Sequence, residues 1–430
     1  MNKQKRSLTK ITKRLASYNP DAIPVVQAQK IIRDFIQPIQ ETETVELRDA
    51  LQRVLAKDII STINVPPHNN SAMDGYAFSA KDVDLSREIT LKIIGSAYAG
   101  HPYKGRISTG ECIEIMTGAI MPLKCDTVVP QEMIIQNDNH TIRIPSSAIQ
   151  AGDNLRKMGE DLLKGHVAIT KGTILQPAHL GLLASLGIDK IQVKRRLRVA
   201  YFSTGDELRA LGKALDEGSI YDSNRYTLHA MLLRLGCEII DLGIVQDDPI
   251  QLENALHEAC NQADVVITSG GVSVGVTDYI KEVMTKLGDM VFWKVGMRPG
   301  RPMAFGQISS SGSTAYLFGL PGNPVAVMVT FYFFVRDALL RHMGANHKPL
   351  PQMKVKSASS ITKKSGRTEY QRGILFQNNL NEWQVKLTGY QGSGILRSMA
   401  EANCMIVLEP KRDNVNIGEE VNIVLFDGLV

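Results

Sequence analysis

Long apolar runs are missing from this chain of 430 residues. The longest, Pro324 to Val335, is broken by Thr330 and falls well short of the roughly 20 residues that span a bilayer, so no membrane contact is expected. The N-terminus, MNKQKRSLTK, has basic residues but no apolar stretch behind them, which argues against a secretory signal. Cysteine is scarce and unpatterned. Cys112, Cys125, Cys237, Cys260 and Cys404 show no CxxC spacing and no histidines at ligand spacing. That argues against a disulfide framework and against zinc, and predicts reduced thiols in a cytoplasmic protein. Aromatic residues make up only 6% of the chain and form no stacking motif, so nucleic acid is not an expected partner. Neither a Walker A lysine motif nor a GxGxxG occurs, which disfavours an ordinary ATPase or dinucleotide dehydrogenase.

What is present is ordinary globular composition, 43% hydrophobic and 22% charged, in a chain long enough for roughly three domains. The net charge of +5 is concentrated in part at Lys3, Lys5, Arg6, Lys10, Lys13 and Arg14, read as a short solvated tail. A modest positive balance also suits a small anionic substrate.

In chain order, Ile23 to Ile39 has apolar residues at helical spacing, and Val45 to Ile60 reads as a second, shorter helix. Asn64 to Phe78 is too rich in Pro, Asn and Ser for regular structure; Asp74 in it is either a functional acid or the centre of an Asx turn. Ile89 to Ile144 breaks into short strands with frequent Gly and Pro, a small β domain. Pro177 to Gly187 is helical again, and Ile188 to Val193 extended. Between Arg198 and Met343 strands and helices alternate, which predicts a mostly parallel, doubly wound sheet. Its strands are RVAYFST, CEIIDLGIV, DVVITS, MVFWKV and AYLFGL, and its last helix is PVAVMVTFYFFVRDALL. After Gln352 five short strands with polar turns suggest a small barrel or sandwich.

In such a sheet ligands bind beyond the carboxyl ends of the strands. The residues that follow each strand are Thr204-Gly205-Asp206-Glu207, Asp247-Asp248-Pro249, Ser269-Gly270-Gly271, Lys294 with Arg298 and Arg301, and Leu320-Pro321-Gly322-Asn323-Pro324. Topology thus gathers acids, cations and bare backbone on one edge. The Gly-rich turn SGGVSVG, with Thr277 placed to cap the following helix and Asp278 in its first turn, lets backbone N–H groups approach an anion. A ligand-free βα turn is the competing reading. Asp248 before Pro249 is a good helix N-cap, which leaves its neighbour Asp247 as the functional acid. Glu207, Asp247 and Asp278 facing Lys294, Arg298 and Arg301 suit a Mg²⁺–phosphate ligand with a second anion beside it.

These residues fall into motifs that resemble one family, the molybdopterin molybdenumtransferases (the MoeA proteins and the gephyrin E domain). The motifs are SAMDGYA (Ser71 to Ala77), IMTGA (Ile115 to Ala119), GEDL (Gly159 to Leu162), FSTGDEL (Phe202 to Leu208), IYDSN (Ile220 to Asn224), SGGVSVG (Ser269 to Gly275), GLPGNPV (Gly319 to Val325) and GYQGSG (Gly389 to Gly394). The resemblance implies insertion of molybdate into adenylylated molybdopterin with Mg²⁺, releasing AMP and forming molybdenum cofactor. It implies Glu207, Asp247, Asp278 and Lys294 as catalytic residues, with Asp247 and Asp278 on the metal. Substrate contacts would come from Asp74, Thr117, Asp161, Ser269, Gly270, Gly271, Ser273, Arg298, Pro321, Pro324, Arg372 and Ser393. Arg298 and Arg301 stand where the family pattern commonly has lysine; arginine keeps the charge but cannot give up a proton.

The resemblance further implies a homodimer whose cleft takes Asp74, Thr117 and Asp161 from one chain and the α/β site from the other. A molybdopterin adenylyltransferase and molybdoenzyme acceptors are the implied partners. The expected architecture is multidomain, α/β and β: a basic tail over 1–21, a helix over 22–41 packing on the α/β domain, and a linker domain of 42–60 with 162–195. A β-rich domain of 61–161, the molybdopterin-binding-like α/β domain of 196–346 and a C-terminal β-barrel of 347–430 complete it. Two rival functions are a non-catalytic molybdopterin-binding scaffold and the molybdopterin adenylyltransferase reaction. The second would need neither of the β-rich flanking parts.

Overall fold

The structure is a computed structural model, and it describes residues 7–13, 18–136, 140–271, 278–346 and 348–427. At its centre is a six-stranded sheet made of β1 (Arg198–Thr204), β2 (Glu238–Val245), β3 (Val265–Ser269), β4 (Gly288–Lys294), β5 (Pro302–Ser310) and β6 (Ser313–Leu320). Their spatial order is β2-β1-β3-β6-β5-β4. The β2-β1-β3-β6 part is parallel, as the alternation of strands and helices predicts. The sequence reading passes over β5, which forms an antiparallel hairpin with β6. Its signal was the Ser311-Gly312 turn, where both residues have positive φ, 48° and 87°, as a two-residue hairpin loop requires. β4 pairs antiparallel with β5, so it runs the same way as β6 and brings Lys294 to the carboxyl edge with the other strand ends.

The sheet is buried on both faces. Leu252, Leu256 and Cys260 of the helix Pro249–Gln262 pack on one side with Phe202 and Leu317. On the other side the helix Val25–Phe35 sets Ile31, Ile32 and Phe35 against Phe305 and Phe318, with Phe35 edge-on to Phe305 at 5.7 Å. The described part of the segment expected as a solvated tail includes packed residues. Leu8, in the helix Leu8–Lys13, is fully buried in this core, and the Tyr18 hydroxyl accepts from the Trp293 indole N–H at 2.9 Å. The last helix is one run of helical turns, Pro324–Thr330 and Arg336–His342, joined by a π-helical stretch, Phe331–Val335.

The C-terminal strands are β7 (Met353–Ser357), β8 (Thr368–Gln377), β9 (Trp383–Leu387), β10 (Cys404–Leu408) and β11 (Glu420–Leu425). They close on themselves in the order β8-β9-β7-β11-β10-β8, a five-stranded barrel around Val385, Ile406 and Ile423. A two-residue strand, Met297–Arg298, adds to β8 in parallel, and Phe333 stacks on Tyr370 at 4.1 Å. These contacts hold the barrel against the α/β sheet.

The expected helix over Val45 to Ile60 is absent. Thr42–Glu46 is a strand paired with Lys190–Lys194, a single 3-10 turn follows at Leu47–Asp49, and Ile59–Ile60 pairs with Val167–Ile169. The apolar spacing that mimicked a helix instead feeds a small core of Leu55, Ile59, Leu183 and Val193. The β-branched Thr42, Thr44 and Val45 fit a pleated ladder, and pairing across more than a hundred residues overrides the local period. The β-rich part is a six-stranded sheet including Gly75–Phe78, Ile89–Ala97 and Glu111–Ile115.

Candidate active site

Loops leaving the carboxyl edge of the sheet meet the barrel around a cleft of about 700 Å³. Glu207, Asp247, Ser269, Gly270, Gly271, Arg298, Pro321, Pro324 and Ser393 all line it, so nine of the residues singled out from sequence are brought together. The turn after β3 needs glycine. Gly270 has φ +97°, and a Cβ there would come within 2.4 Å of the Thr204 carbonyl oxygen. Asp248 caps the helix Pro249–Gln262 by accepting from the Gln251 N–H at 2.9 Å, with Pro249 at the first helical position. The cap thus falls on Asp248 and not on Asp247. The Asp247 carboxylate accepts from the Thr204 hydroxyl, and its own N–H donates to the Asp206 carboxylate at 3.2 Å. Glu207 is exposed at the mouth, beside the short ladder of Leu208–Arg209 with Ile220–Tyr221.

The opposite wall is cationic. Arg298 reaches the cleft from the strand that ties the α/β part to the barrel. Arg372 lies behind the wall rather than in it: it is only 1% exposed, the largest fully buried side chain. Its guanidinium donates to the Ser398 hydroxyl and the Gly392 carbonyl, both at 3.0 Å, and makes no ion pair with a carboxylate among the described residues. Burial, with the charge of Arg298 added, pushes it down to about 10. Arg372 also fixes the GYQGSG turn, since its backbone N–H donates to the Gln391 side-chain carbonyl at 2.7 Å.

The remaining expected residues stand elsewhere. Asp74 makes no local Asx turn; it accepts from the Thr117 N–H and hydroxyl, both at 2.7 Å. Those two bonds, the backbone one first, hold its carboxyl below the usual range. Asp161 is exposed, its N–H donating to the Val65 carbonyl at 3.1 Å. None of these three lines the cleft of the same chain. Lys294 is not among the residues that line the cleft and pairs with Asp21 at 2.7 Å. Asp278 opens the helix Asp278–Leu287. Ser273, Gly275, the Thr277 cap and the Asp278 side chain lie outside the described part.

Sequence reasoning missed Asp222 and Asn224 as individual residues, although both sit in the IYDSN motif. Both line the cleft. No group of three or more His, Cys, Asp or Glu poised for a metal is found among the described residues.

Three family descriptions cover the chain in the same order as these parts. The MoeA N-terminal region (domain I and II) matches residues 23–187, a probable molybdopterin binding domain residues 200–341, and the MoeA C-terminal region (domain IV) residues 354–426. The molybdopterin molybdenumtransferase of Haemophilus influenzae is 42% identical over 391 residues, 91% of this chain and 95% of that protein.

The chain belongs to the MoeA family of molybdopterin molybdenumtransferases.

A Nostoc relative of the same name is 36% identical over 392 residues, 90% of this chain and 89% of that one. The crystal structure of the molybdopterin biosynthesis moeA protein from Pyrococcus horikoshii OT3 superposes with a TM-score of 0.79 at 31% identity, covering 94% of this chain and all 100% of that one. These relatives carry the name of a transferase, which sets the class of chemistry for the family this chain belongs to.

Proposed function

We propose that this chain inserts molybdate into adenylylated molybdopterin with the help of Mg²⁺, releasing AMP and forming molybdenum cofactor. The observation that carries the reading is the cleft wall that presents Arg298 and Ser393, with Arg372 buried behind it and without a carboxylate partner among the described residues. A buried guanidinium with only neutral acceptors is incomplete until an anion arrives. A planar fork matches a tetrahedral oxyanion such as molybdate. An anion held by Arg298 at the wall would offset the like charge of Arg298 on Arg372 behind it.

The acidic wall has a different task. Asp247, oriented by the Thr204 hydroxyl, and Asp278, by its place at the opening of the next helix, would hold Mg²⁺. Oxygen donors of this kind, few in number and completed by substrate phosphates, fit that ion, which when bound neutralises phosphate charge. The Gly270-Gly271 turn lets backbone approach the same phosphates. Splitting the phosphoanhydride with water gives AMP and a phosphate monoester, and the fixed cations and the acids share the charge that builds on the two phosphates. Glu207 at the mouth and Lys294 beyond it belong to the same edge.

The Asp74–Thr117 pair and Asp161 complete the cleft from the partner copy in a homodimer. Their separation from the α/β site within one chain supports this arrangement. The test uses purified protein with adenylylated molybdopterin, molybdate and Mg²⁺. AMP release that requires molybdate and is lost in Glu207→Ala and Asp247→Ala is expected. Tight binding of the pterin with no AMP release would overturn the reading and leave a binding scaffold.

A further inference from the structure

Asn224 joins two turns that the strand ladder no longer holds. β3 and β6 are neighbours in the central sheet, and their register ends with Ser269 opposite Leu320. One backbone bond follows, from the Gly270 N–H to the Leu320 carbonyl at 3.1 Å. Past it the chain parts into the Gly270-Gly271 turn on one side and Pro321-Gly322 on the other, and both line the cleft. The two turns run close together, since a Cβ built on Gly322 would lie 3.8 Å from the Gly270 Cα. The Asn224 side chain bridges them. Its Nδ2 donates to the Ser269 hydroxyl at 2.9 Å and to the Gly322 carbonyl at 2.6 Å. Because a carbonyl can only accept, Gly322 fixes which end of the amide faces it.

Asn224 is itself pinned. It opens the helix Asn224–Arg234, and Asp222 holds that helix start in place. The Asp222 Oδ1 accepts from the Arg225 N–H at 3.2 Å and from the hydroxyl of Ser203, on β1, at 3.0 Å. The segment thus reaches β1, β3 and β6, which lie side by side, at the edge where the cleft opens. The line of bonds also continues to the barrel. Further along the turn after β6, the Val325 N–H donates to the carbonyl of Ser393 at 3.1 Å, and Ser393 belongs to the cationic wall. Asn224 therefore stands between the glycine turn and that wall. The arrangement lowers stability, because the Asp222 Oδ2 and the Asn224 Oδ1 are buried with no donor among the described residues. A local geometry kept in spite of such a cost is the mark of a functional site.

We propose that Asn224 is a positioning residue that sets the distance between the two halves of the site: the glycine turn for the substrate's phosphates and the wall for the oxyanion. This rests on the reading of the cleft as the site of molybdate insertion. Each half keeps its own binding groups without Asn224, since both bonds of the amide go to protein atoms. What is lost is the placement of one half against the other. A misplacement of about 1 Å costs about 100-fold in rate.

The test is Asn224→Ala in the full-length protein. Molybdate-dependent release of AMP from adenylylated molybdopterin gives kcat and KM, and calorimetry gives the affinities for AMP alone and for molybdate alone. Leu228→Val, which trims a fully buried side chain of the same helix, is the control for lost stability. The expected result is a kcat lowered about 10- to 100-fold in Asn224→Ala, with KM and both affinities within about threefold of wild type. Leu228→Val melts below wild type and keeps its kcat. A kcat of Asn224→Ala close to wild type overturns the proposal. So does a fall in AMP or molybdate affinity as large as the fall in kcat, which would make Asn224 part of one binding wall instead of the spacer between two. An equal loss of kcat in Leu228→Val overturns it in favour of plain destabilisation. If wild type binds both ligands yet releases no AMP, the reading of the cleft fails first and the spacer role falls with it.

Discussion

The two walls of the cleft are built in opposite ways. The α/β wall is acidic and is assembled from strand ends of a single sheet, so Thr204, Asp247, Ser269 and Gly270 are placed by the pairing of β1 with β2 and β3. The barrel wall is cationic, and its position depends on two separate parts being docked: Arg298 comes from the α/β side, while Arg372, Gln391 and Ser393 come from the barrel. Charge is therefore segregated by wall, although Arg298, the cation that lines the cleft, belongs to the α/β part. A ligand with a metal-bound pyrophosphate at one end and an oxyanion at the other meets a complementary wall at each end. On the proposed reading the oxyanion side is the more fragile, since its geometry depends on one short strand pairing and an aromatic stack.

The sharpest way to separate the walls is Arg372→Met. A methionine fills much of the same buried volume without charge, so molybdate affinity is expected to fall by about 100-fold or more, while the melting temperature holds or rises. Isothermal calorimetry with molybdate, beside a thermal melt, decides this. Affinity within a few-fold of wild type would remove Arg372 from the oxyanion site. Next in size is Phe333→Ala, which deletes the ring stacked on Tyr370. A loss of about 3–5 kcal/mol in stability is expected. Molybdate binding should weaken before binding of molybdopterin does, because only the barrel wall loses its anchor. Denaturant melts and the two affinities together test the order.

Mixing inactive copies probes the third contributor. Asp74→Asn and Glu207→Ala proteins, each inactive alone, should regain up to about a quarter of wild-type activity after mixed refolding, because about half of the dimers are mixed and each of those has one intact cleft of two. No recovery in verified mixed dimers would place both residues in the same chain's site. Asp74 also gives a pH signature. Thr117 lowers its folded pKa, so the contact contributes stability above the unfolded value and loses it as pH falls through the folded one. Thr117→Val should therefore melt below wild type near neutrality and converge with it in strong acid.

How much of this was legible follows from what each residue shows locally. The parallel core was readable because Val265–Ser269 and its neighbours are short apolar runs between helical periods, and the barrel because its strands alternate between polar turns. The strand ends then gave eight of the nine cleft residues without any coordinates, and the family resemblance gave Ser393. The fold of Val45 to Ile60 was not readable, since its partners lie more than a hundred residues away. Asp222 and Asn224 escaped for a related reason. They follow an exposed Ile220-Tyr221 pair and look like surface turn residues, and only burial reveals their unsatisfied oxygens. Nor does sequence disclose that a cation at a strand end already has a partner.

That last case gives the smallest effect and the most specific to this chain. Lys294 is paired with Asp21, which lies just before residue 23, where the family match begins. The Asp21 carboxyl is held below its usual range by its bond to Lys294 and by that charge, with Lys281 and Arg301 adding to it. Both partners of the pair are partly solvated, so the pair contributes little to stability. Asp21→Asn should leave the melting temperature unchanged and tighten oxyanion binding by about two- to fivefold at low salt, a gain that fades as added salt screens the exposed charges. A double variant with Lys294→Met should show no such gain, because the cation that Asp21 engages is gone. Weaker binding in Asp21→Asn would mean the reverse relation, with the carboxylate steadying Lys294 for the ligand instead of competing for it.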